Sequence, residues 1–421
     1  MLPDFPEAGF PRENRLQPPP RHSLTTTGRG RAHQRTLPHR PGVPEPHRTS
    51  VARKNAALSY DRTVPWLVLT GFLFLPAILS AQANRTAKLD AYFTMQCKEK
   101  RFTGAVAVQL DAETIFESAC GSADIEWDAS NTVDTRFRAA SIAKEFTAAA
   151  ILLLQKERRL SVSELIGKFV DGLPANWRTA TLHQLLTHTS GIPSYTGAPI
   201  RQLDRMGATP RELLAVVAAK PLAYEHGTRF SYNNTGYVLL GMAIEAVSDM
   251  RYEDFIEKRL FSLAGMNNSG FDHATKIVPR RARGYRVSGT GLEHAEPVDA
   301  TAAWSAGGFY STVGDLVRWS NAIEAGTILG KDSTAQMLRP YPETAAHGLH
   351  YGYGIVIGQR FGQMLRYHAG GISGFSSVLQ AYPGAKLTIA VLSNLDSDLA
   401  PAPSWTIADG LAQLLLQPSR Q

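Results

Sequence analysis

Cysteine is almost absent from this chain: Cys97 and Cys120 are the only two in 421 residues. Two cysteines cannot build the disulfide framework of a small secreted scaffold, although in an exported chain they are available either to pair or to remain thiols. No set of Cys and His has the spacing of a metal site, and His183 and His188, five apart, do not share one helical face. The expectation is no metal and no cofactor. Long apolar runs are missing too. The longest, from Trp66 to Leu79, has fourteen residues, short of the ~20 that span a bilayer. No internal repeat is evident. Net charge is nearly absent outside the leader: residues 1–83 hold eleven Lys and Arg against five Asp and Glu, a net of +6 out of the chain's +7. The pI of 9.3 therefore belongs to the leader and does not point to a nucleic-acid surface on residues 84–421. A basic nucleic-acid-binding arm is the remaining alternative for the leader itself.

That leader has its own character. Residues 1–60 carry ten prolines, among them Pro18-Pro19-Pro20, with many arginines and almost no apolar periodicity. Such a segment cannot bury enough surface to fold and is expected to be disordered. The apolar stretch that follows is preceded by Arg53, Lys54 and Arg62 and ends in Ser80-Ala81-Gln82-Ala83. Small residues in that position predict a signal peptide over 61–83 with cleavage after Ala83, hence a periplasmic or secreted protein with no stable membrane anchor. The alternative is an uncleaved N-terminal anchor. The 338 residues from 84 to 421 suffice for one domain with two lobes.

Along this mature chain, residues 85–100 read as an amphipathic helix. Residues 103–109 and 114–119 read as a hairpin turning at Asp111-Ala112. The middle is mostly helical, over 162–170, 181–188, 210–219, 236–247 and 252–260, separated by loops rich in Gly, Pro, Asn and Ser. Strands return at 353–358, 363–367, 375–382 and 387–393, and a helix closes the chain at 405–416. Strands at both ends around a helical middle predict an α/β fold. One antiparallel sheet (84–140 with 300–421) would be flanked by helices, with a mainly helical lobe (141–300) inserted.

The chemistry gathers around Phe137-Arg138-Ala139-Ala140-Ser141-Ile142-Ala143-Lys144. From Ser141 the sequence reads as helix, with neither Gly nor Pro before Gly167, and it is apolar on nearly every face, as a buried helix is. Lys144, three residues on, shares a face with Ser141 and brings an amine to its hydroxyl. The helix N-terminus adds free N–H groups and a positive dipole end. Nucleophile, base and oxyanion donors are thus supplied together. One Ser-x-x-Lys match is also what chance gives in this composition, about 0.8 per chain, so the motif alone decides nothing. Two further clusters matter. Phe230-Ser231-Tyr232-Asn233-Asn234-Thr235-Gly236 offers a phenol and a carboxamide two residues apart, able to relay a proton and to donate to substrate; read blandly, it is a polar turn with an N-cap Asn. Tyr367-His368-Ala369-Gly370-Gly371-Ile372-Ser373-Gly374-Phe375 lies between two strands. Its small residues let a substrate backbone approach, or simply make a glycine-rich turn. A Ser-His-Asp hydrolase finds little support, because no Gly-x-Ser-x-Gly elbow occurs.

In this order and spacing the three clusters resemble the penicillin-recognising serine hydrolases, which comprise class C β-lactamases, D,D-peptidases and related esterases. Ser141-x-x-Lys144 fits the nucleophile motif, Tyr232-x-Asn234 looks like its Tyr-x-Asn element, and His368-Ala369-Gly370 looks like the His-x-Gly variant of Lys-Thr-Gly. The stretches Leu185-Leu186-Thr187-His188-Thr189-Ser190-Gly191 and Ser305-Ala306-Gly307-Gly308 strengthen the likeness. It spans roughly residues 90 to 415.

The resemblance implies that Ser141 is acylated, that Lys144 and Tyr232 share the proton transfers, and that Asn234 holds the substrate amide. The N–H groups of Ser141 and Gly371 would bind the oxyanion beside Gly370. Which of Lys144 and Tyr232 is the base stays open. His368 in place of Lys points away from an efficient β-lactamase and towards an esterase, D,D-peptidase or D-amino-acid peptidase. The substrate would be a small molecule or a peptide, cell-wall peptide included. The same fold as a sensor that acylates once without turnover is the rival reading. Charge gives one more expectation: a substrate-anchoring His368 would be largely neutral at pH 7.5 and cationic near pH 5.5, so carboxylate-bearing substrates would gain on acidification.

Overall fold

In the computed structural model, residues 75–99, 101–197, 201–289, 291–346, 348–396 and 403–417 are described. The predicted disordered leader and most of the predicted signal peptide lie outside them. The first described element is α1, Leu75–Lys98. It starts ten residues before the expected helix and runs without a break past Ala83, with Pro76 in its first turn, where a missing N–H costs nothing. Among the described residues no helix is long and apolar enough to cross a membrane.

β1 (Gly104–Leu110) and β2 (Glu113–Cys120) form the expected hairpin, with Asp111 at φ +51° and Ala112 at φ +67° in its two-residue turn. Cys97 of α1 is disulfide-bonded to Cys120 of β2, which ties the helix to the strand it crosses. The six remaining strands of the large sheet come late in the chain: β3 (Tyr341–Ala346), β4 (Leu349–Tyr351), β5 (Val356–Arg360), β6 (Gln363–Ile372), β7 (Phe375–Tyr382) and β8 (Leu387–Ser393). Their order is β3-β4-β5-β6-β7-β8-β1-β2, and every neighbouring pair is antiparallel. The sheet predicted from the two ends of the chain is therefore present, closed by the β8–β1 pairing.

Side chains alternate across this sheet with period two, and each face meets its own layer. Val106, Val108, Ile389 and Val391 pack with Leu89 and Phe93 of α1 and with Ile407 and Leu411 of the closing helix, Ser404–Leu416. Ala105, Ala107, Ala390 and Leu392 face the other way. Small residues there admit two helices, α2 (Ala143–Lys156) and α3 (Val313–Glu324), into the central core. In α2 every residue from Ala143 to Leu154 is buried, as its all-round apolar sequence requires. The sheet face and the intervening helices share one core, in which Ala105 and Leu392 belong to the same cluster as Leu185 and Leu239.

The helix expected at 210–219 ends at Ala215, and three further elements changed more. Residues 162–170 hold only a single 3-10 turn, Ile166–Lys168. Ile166 N–H bonds Ala180 O at 2.8 Å, His183 N–H bonds Val162 O at 2.7 Å and Leu165 bridges to Thr181, so pairing with a later segment replaces the helical bonds. The strand expected at 353–358 starts at Val356, because Gly352 N–H bonds Ile355 O and Gly354 takes φ +74°. The strand expected to stop at 367 continues to Ile372, and the chain turns only at Ser373-Gly374. His368-Ala369-Gly370-Gly371 is thus strand, not turn.

Candidate active site

Ser141 does not cap the helix. It sits in a 3-10 turn, Ala140–Ile142, from which α2 continues at Ala143. Ala140 has φ +46°, a left-handed conformation that costs a non-glycine residue of order 1–3 kcal/mol and persists only where the surroundings enforce it. Here they do. Ala139 N–H bonds Phe309 O at 3.1 Å, and Ala139 O accepts from Ser377 Oγ at 2.8 Å. The turn is pressed against β6 as well. A Cβ on Gly370 would overlap Ala139 O and Ser377 Oγ and lie 3.0 Å from the Ser141 nitrogen, so only glycine lets the strand pass this close.

One turn after Ser141, Lys144 is completely buried. Its Nζ lies 3.2 Å from Ser141 Oγ and donates to Ala306 O at 2.9 Å. The rings of Tyr232 and Tyr237 lie 4.6 and 5.5 Å from it. Burial holds the amine well below the ordinary lysine range, which favours its uncharged form. Tyr232 has a partly exposed ring and a buried hydroxyl, which shares a hydrogen bond with Ser141. Burial raises its phenol, the Ser141 bond opposing only in part, so Tyr232 stays protonated. The structure therefore brings Ser141, Lys144 and Tyr232 together.

The other predicted residues are placed less simply. The cap of the helix Asn234–Ser248 is Asn233, whose Oδ1 accepts from Gly236 N–H at 2.8 Å. Asn234 is its first residue. Its Nδ2 reaches Thr196 Oγ1 at 3.4 Å, and its buried Oδ1 has no hydrogen-bond partner among the described residues. Gly371 is exposed beside Gly370. Both belong to the end of β6 that pairs with β7 alone, since β5 stops opposite Tyr367.

His368 departs from expectation. Its ring is completely buried; Nδ1–H donates to Ala369 O at 2.6 Å, and the bare Nε2 faces Tyr351 OH at 3.0 Å. Burial first, and the nearby Lys144 second, push its pKa down to about 3. The expectation that His368 becomes cationic near pH 5.5 is corrected accordingly: an imidazole with both nitrogens engaged and no exposed surface stays neutral there.

Two contributors went unassigned from sequence. The Ala306 carbonyl and the Tyr237 ring complete the lysine's surroundings. Ser305-Ala306-Gly307-Gly308 strengthened the family likeness without a role of its own; the structure shows it as a short helical turn, Trp304–Gly307, wedged against the Asn234–Ser248 helix. Ser305 Oγ donates to Tyr237 O there at 3.0 Å.

Sequence comparison agrees with this geometry. The Beta-lactamase family matches residues 87–414. The chain belongs to that family. Penicillin-binding protein 4* of Bacillus subtilis is 26% identical over 333 residues, covering 75% of this chain and 73% of its own. Among solved structures, the octameric penicillin-binding protein homologue of Pyrococcus abyssi is similar at 31% identity and a TM-score of 0.68, covering 78% of this chain and 77% of its own. A D-stereospecific amidohydrolase from Streptomyces sp. is similar at 25% identity and a TM-score of 0.67, covering 80% and 99%. The β-lactamase-family assignment makes this chain a member of the serine hydrolase superfamily that includes the penicillin-binding proteins.

Proposed function

We propose that this protein hydrolyses esters and small amides through an acyl-enzyme on Ser141, in the manner of the class C-like esterases and D-amino-acid amidohydrolases. The observation that carries the reading is the Ser141 Oγ placed 3.2 Å from a completely buried Lys144 amine. With its pKa depressed, Lys144 takes the Ser141 proton as Oγ attacks the acyl carbon. The developing oxyanion meets the N–H groups of Ser141 and Gly371, and Tyr232, held protonated, returns a proton to the leaving group. Water then repeats the sequence in reverse and frees Ser141. Ser141→Ala should reduce hydrolysis of a p-nitrophenyl ester by at least about 10³-fold with the fold intact by circular dichroism. Undiminished turnover in that variant would refute the mechanism.

Substrate choice follows from His368. Neutral and enclosed, it offers no charge to a substrate carboxylate, which supports neutral acyl groups over carboxylate-bearing peptides and β-lactams. The kcat/KM ratio for a neutral ester and its carboxylate-bearing analogue should therefore stay flat from pH 5.5 to 7.5. A ratio is the right quantity because titration of Lys144 acts on both substrates alike. A roughly tenfold swing across that range, the size of one full charge interaction at about 1.4 kcal/mol, would show that His368 titrates against substrate after all.

A further inference from the structure

The stretch Leu185–Gly191 has no part in the mechanism above, yet it runs beneath the catalytic tyrosine. His188 sits in it with φ +58° and no exposed surface. Its carbonyl accepts the Ser231 N–H at 2.9 Å and its Nδ1 accepts the Asn233 N–H at 3.1 Å. Those two residues flank Tyr232. Between the two bonds the His188 ring lies against the Tyr232 ring, centroids 4.4 Å apart. The far sides of the imidazole are closed by Tyr351 at 4.6 Å and Tyr237 at 5.0 Å. Both backbone bonds and the ring contact thus converge on one three-residue segment. The left-handed backbone at His188 is what lets one residue present its carbonyl and its side chain to the same segment.

We infer that His188 is the positioning residue for Tyr232, clamping Ser231-Tyr232-Asn233 so that the phenol is held at Ser141. The inference rests on the serine-hydrolase reading. The clamp demands one protonation state. A backbone N–H can only donate, so Nδ1 must be bare and the proton must sit on Nε2. Nε2 has no hydrogen-bond partner among the described residues, so no second bond competes for the tautomer.

The test is a coupling measurement. His188→Gly is the suitable variant, because glycine accepts a positive φ where alanine would add strain. It removes the Nδ1 acceptor and the ring but keeps the carbonyl. Displacing a proton donor by ~1 Å costs about 10²-fold. His188→Gly should accordingly lower kcat by about 10- to 100-fold with KM within about twofold, while in a Tyr232→Phe background the same change should cost less than about threefold. His188→Asn, which restores an acceptor and tolerates the left-handed backbone, should recover most of the loss. Equal losses in both backgrounds would overturn the inference and leave His188 a packing residue. A second readout needs no variant: nitrogen NMR of the wild-type imidazole should show the neutral Nε2–H form at pH 7. A protonated ring, or the Nδ1–H tautomer, would overturn the inference. Failure of the hydrolase reading would look different, since Ser141→Ala would then keep its activity.

Discussion

Replacing Lys144 by methionine should lower kcat/KM for an activated ester by about 10²–10⁴-fold, the usual contribution of a general base, and should at the same time raise the melting temperature. The two effects have one cause. Lys144 is enclosed by Ala306, Tyr232 and Tyr237 with its pKa well below the ordinary value of 10.5. Between the folded and unfolded pKa values the unfolded chain binds a proton that the folded chain does not, so the wild type loses stability in that window as pH falls. Methionine fills similar space without a group that wants water, which removes this cost. Activity and stability should move in opposite directions, as expected where a function is held at the expense of stability. A variant that lost both together would show that Lys144 contributes to packing rather than to catalysis. Differential scanning calorimetry beside initial-rate measurements at pH 7 decides between these outcomes.

The next residue carries a comparable effect of opposite sign in pH. Glu145 is buried in α2, and its Oε2 accepts from Trp319 Nε1 at 2.7 Å. Burial is the main reason that its pKa rises to about 8; the Trp319 bond opposes the rise, and Glu324 adds to it. A raised carboxyl contributes stability that is fully present below about pH 4.5 and is lost as pH climbs through 8. Glu145→Gln keeps an oxygen for Trp319 and removes the ionisation. The variant should match wild type near pH 4.5 and exceed it by several kcal/mol at pH 8.5, at 1.36 kcal/mol for each unit of pKa difference. Urea denaturation of both proteins across that range measures the gap; parallel curves would mean that Glu145 ionises in the folded protein as it does in water.

Much of this was legible in the sequence because it rests on local signals. The hairpin at Asp111-Ala112, the strands ending at Tyr382 and Ser393, and the buried α2 all follow from periodicity and turn residues over short windows. The Ser141, Lys144 and Tyr232 cluster was legible through motif spacing. What escaped depends on contacts between distant segments. The 3-10 turn at Ala140–Ile142 exists because Ser377 of β7 and Phe309 hold Ala139 in place, and no residue near Ser141 announces that. His368 reads as a charge switch by residue type alone; its neutrality comes from complete burial and from Lys144, more than two hundred positions earlier. His188 was visible as part of a motif, but its bonds go to residues more than forty positions later. Helix 162–170 failed for the same reason, since its backbone groups bond to residues 178–183 instead of along the segment.

Turnover through an acyl group on Ser141 is the central claim, and one experiment reaches it directly. Wild-type protein is mixed with excess p-nitrophenyl acetate, quenched in acid within the first turnovers, digested and analysed by mass spectrometry, while released nitrophenol is counted over minutes. The predicted result is an acetyl group on the peptide containing Ser141, together with product that continues well past one equivalent per protein molecule. An acetyl group on a different residue, or product that stops at one equivalent, would contradict it.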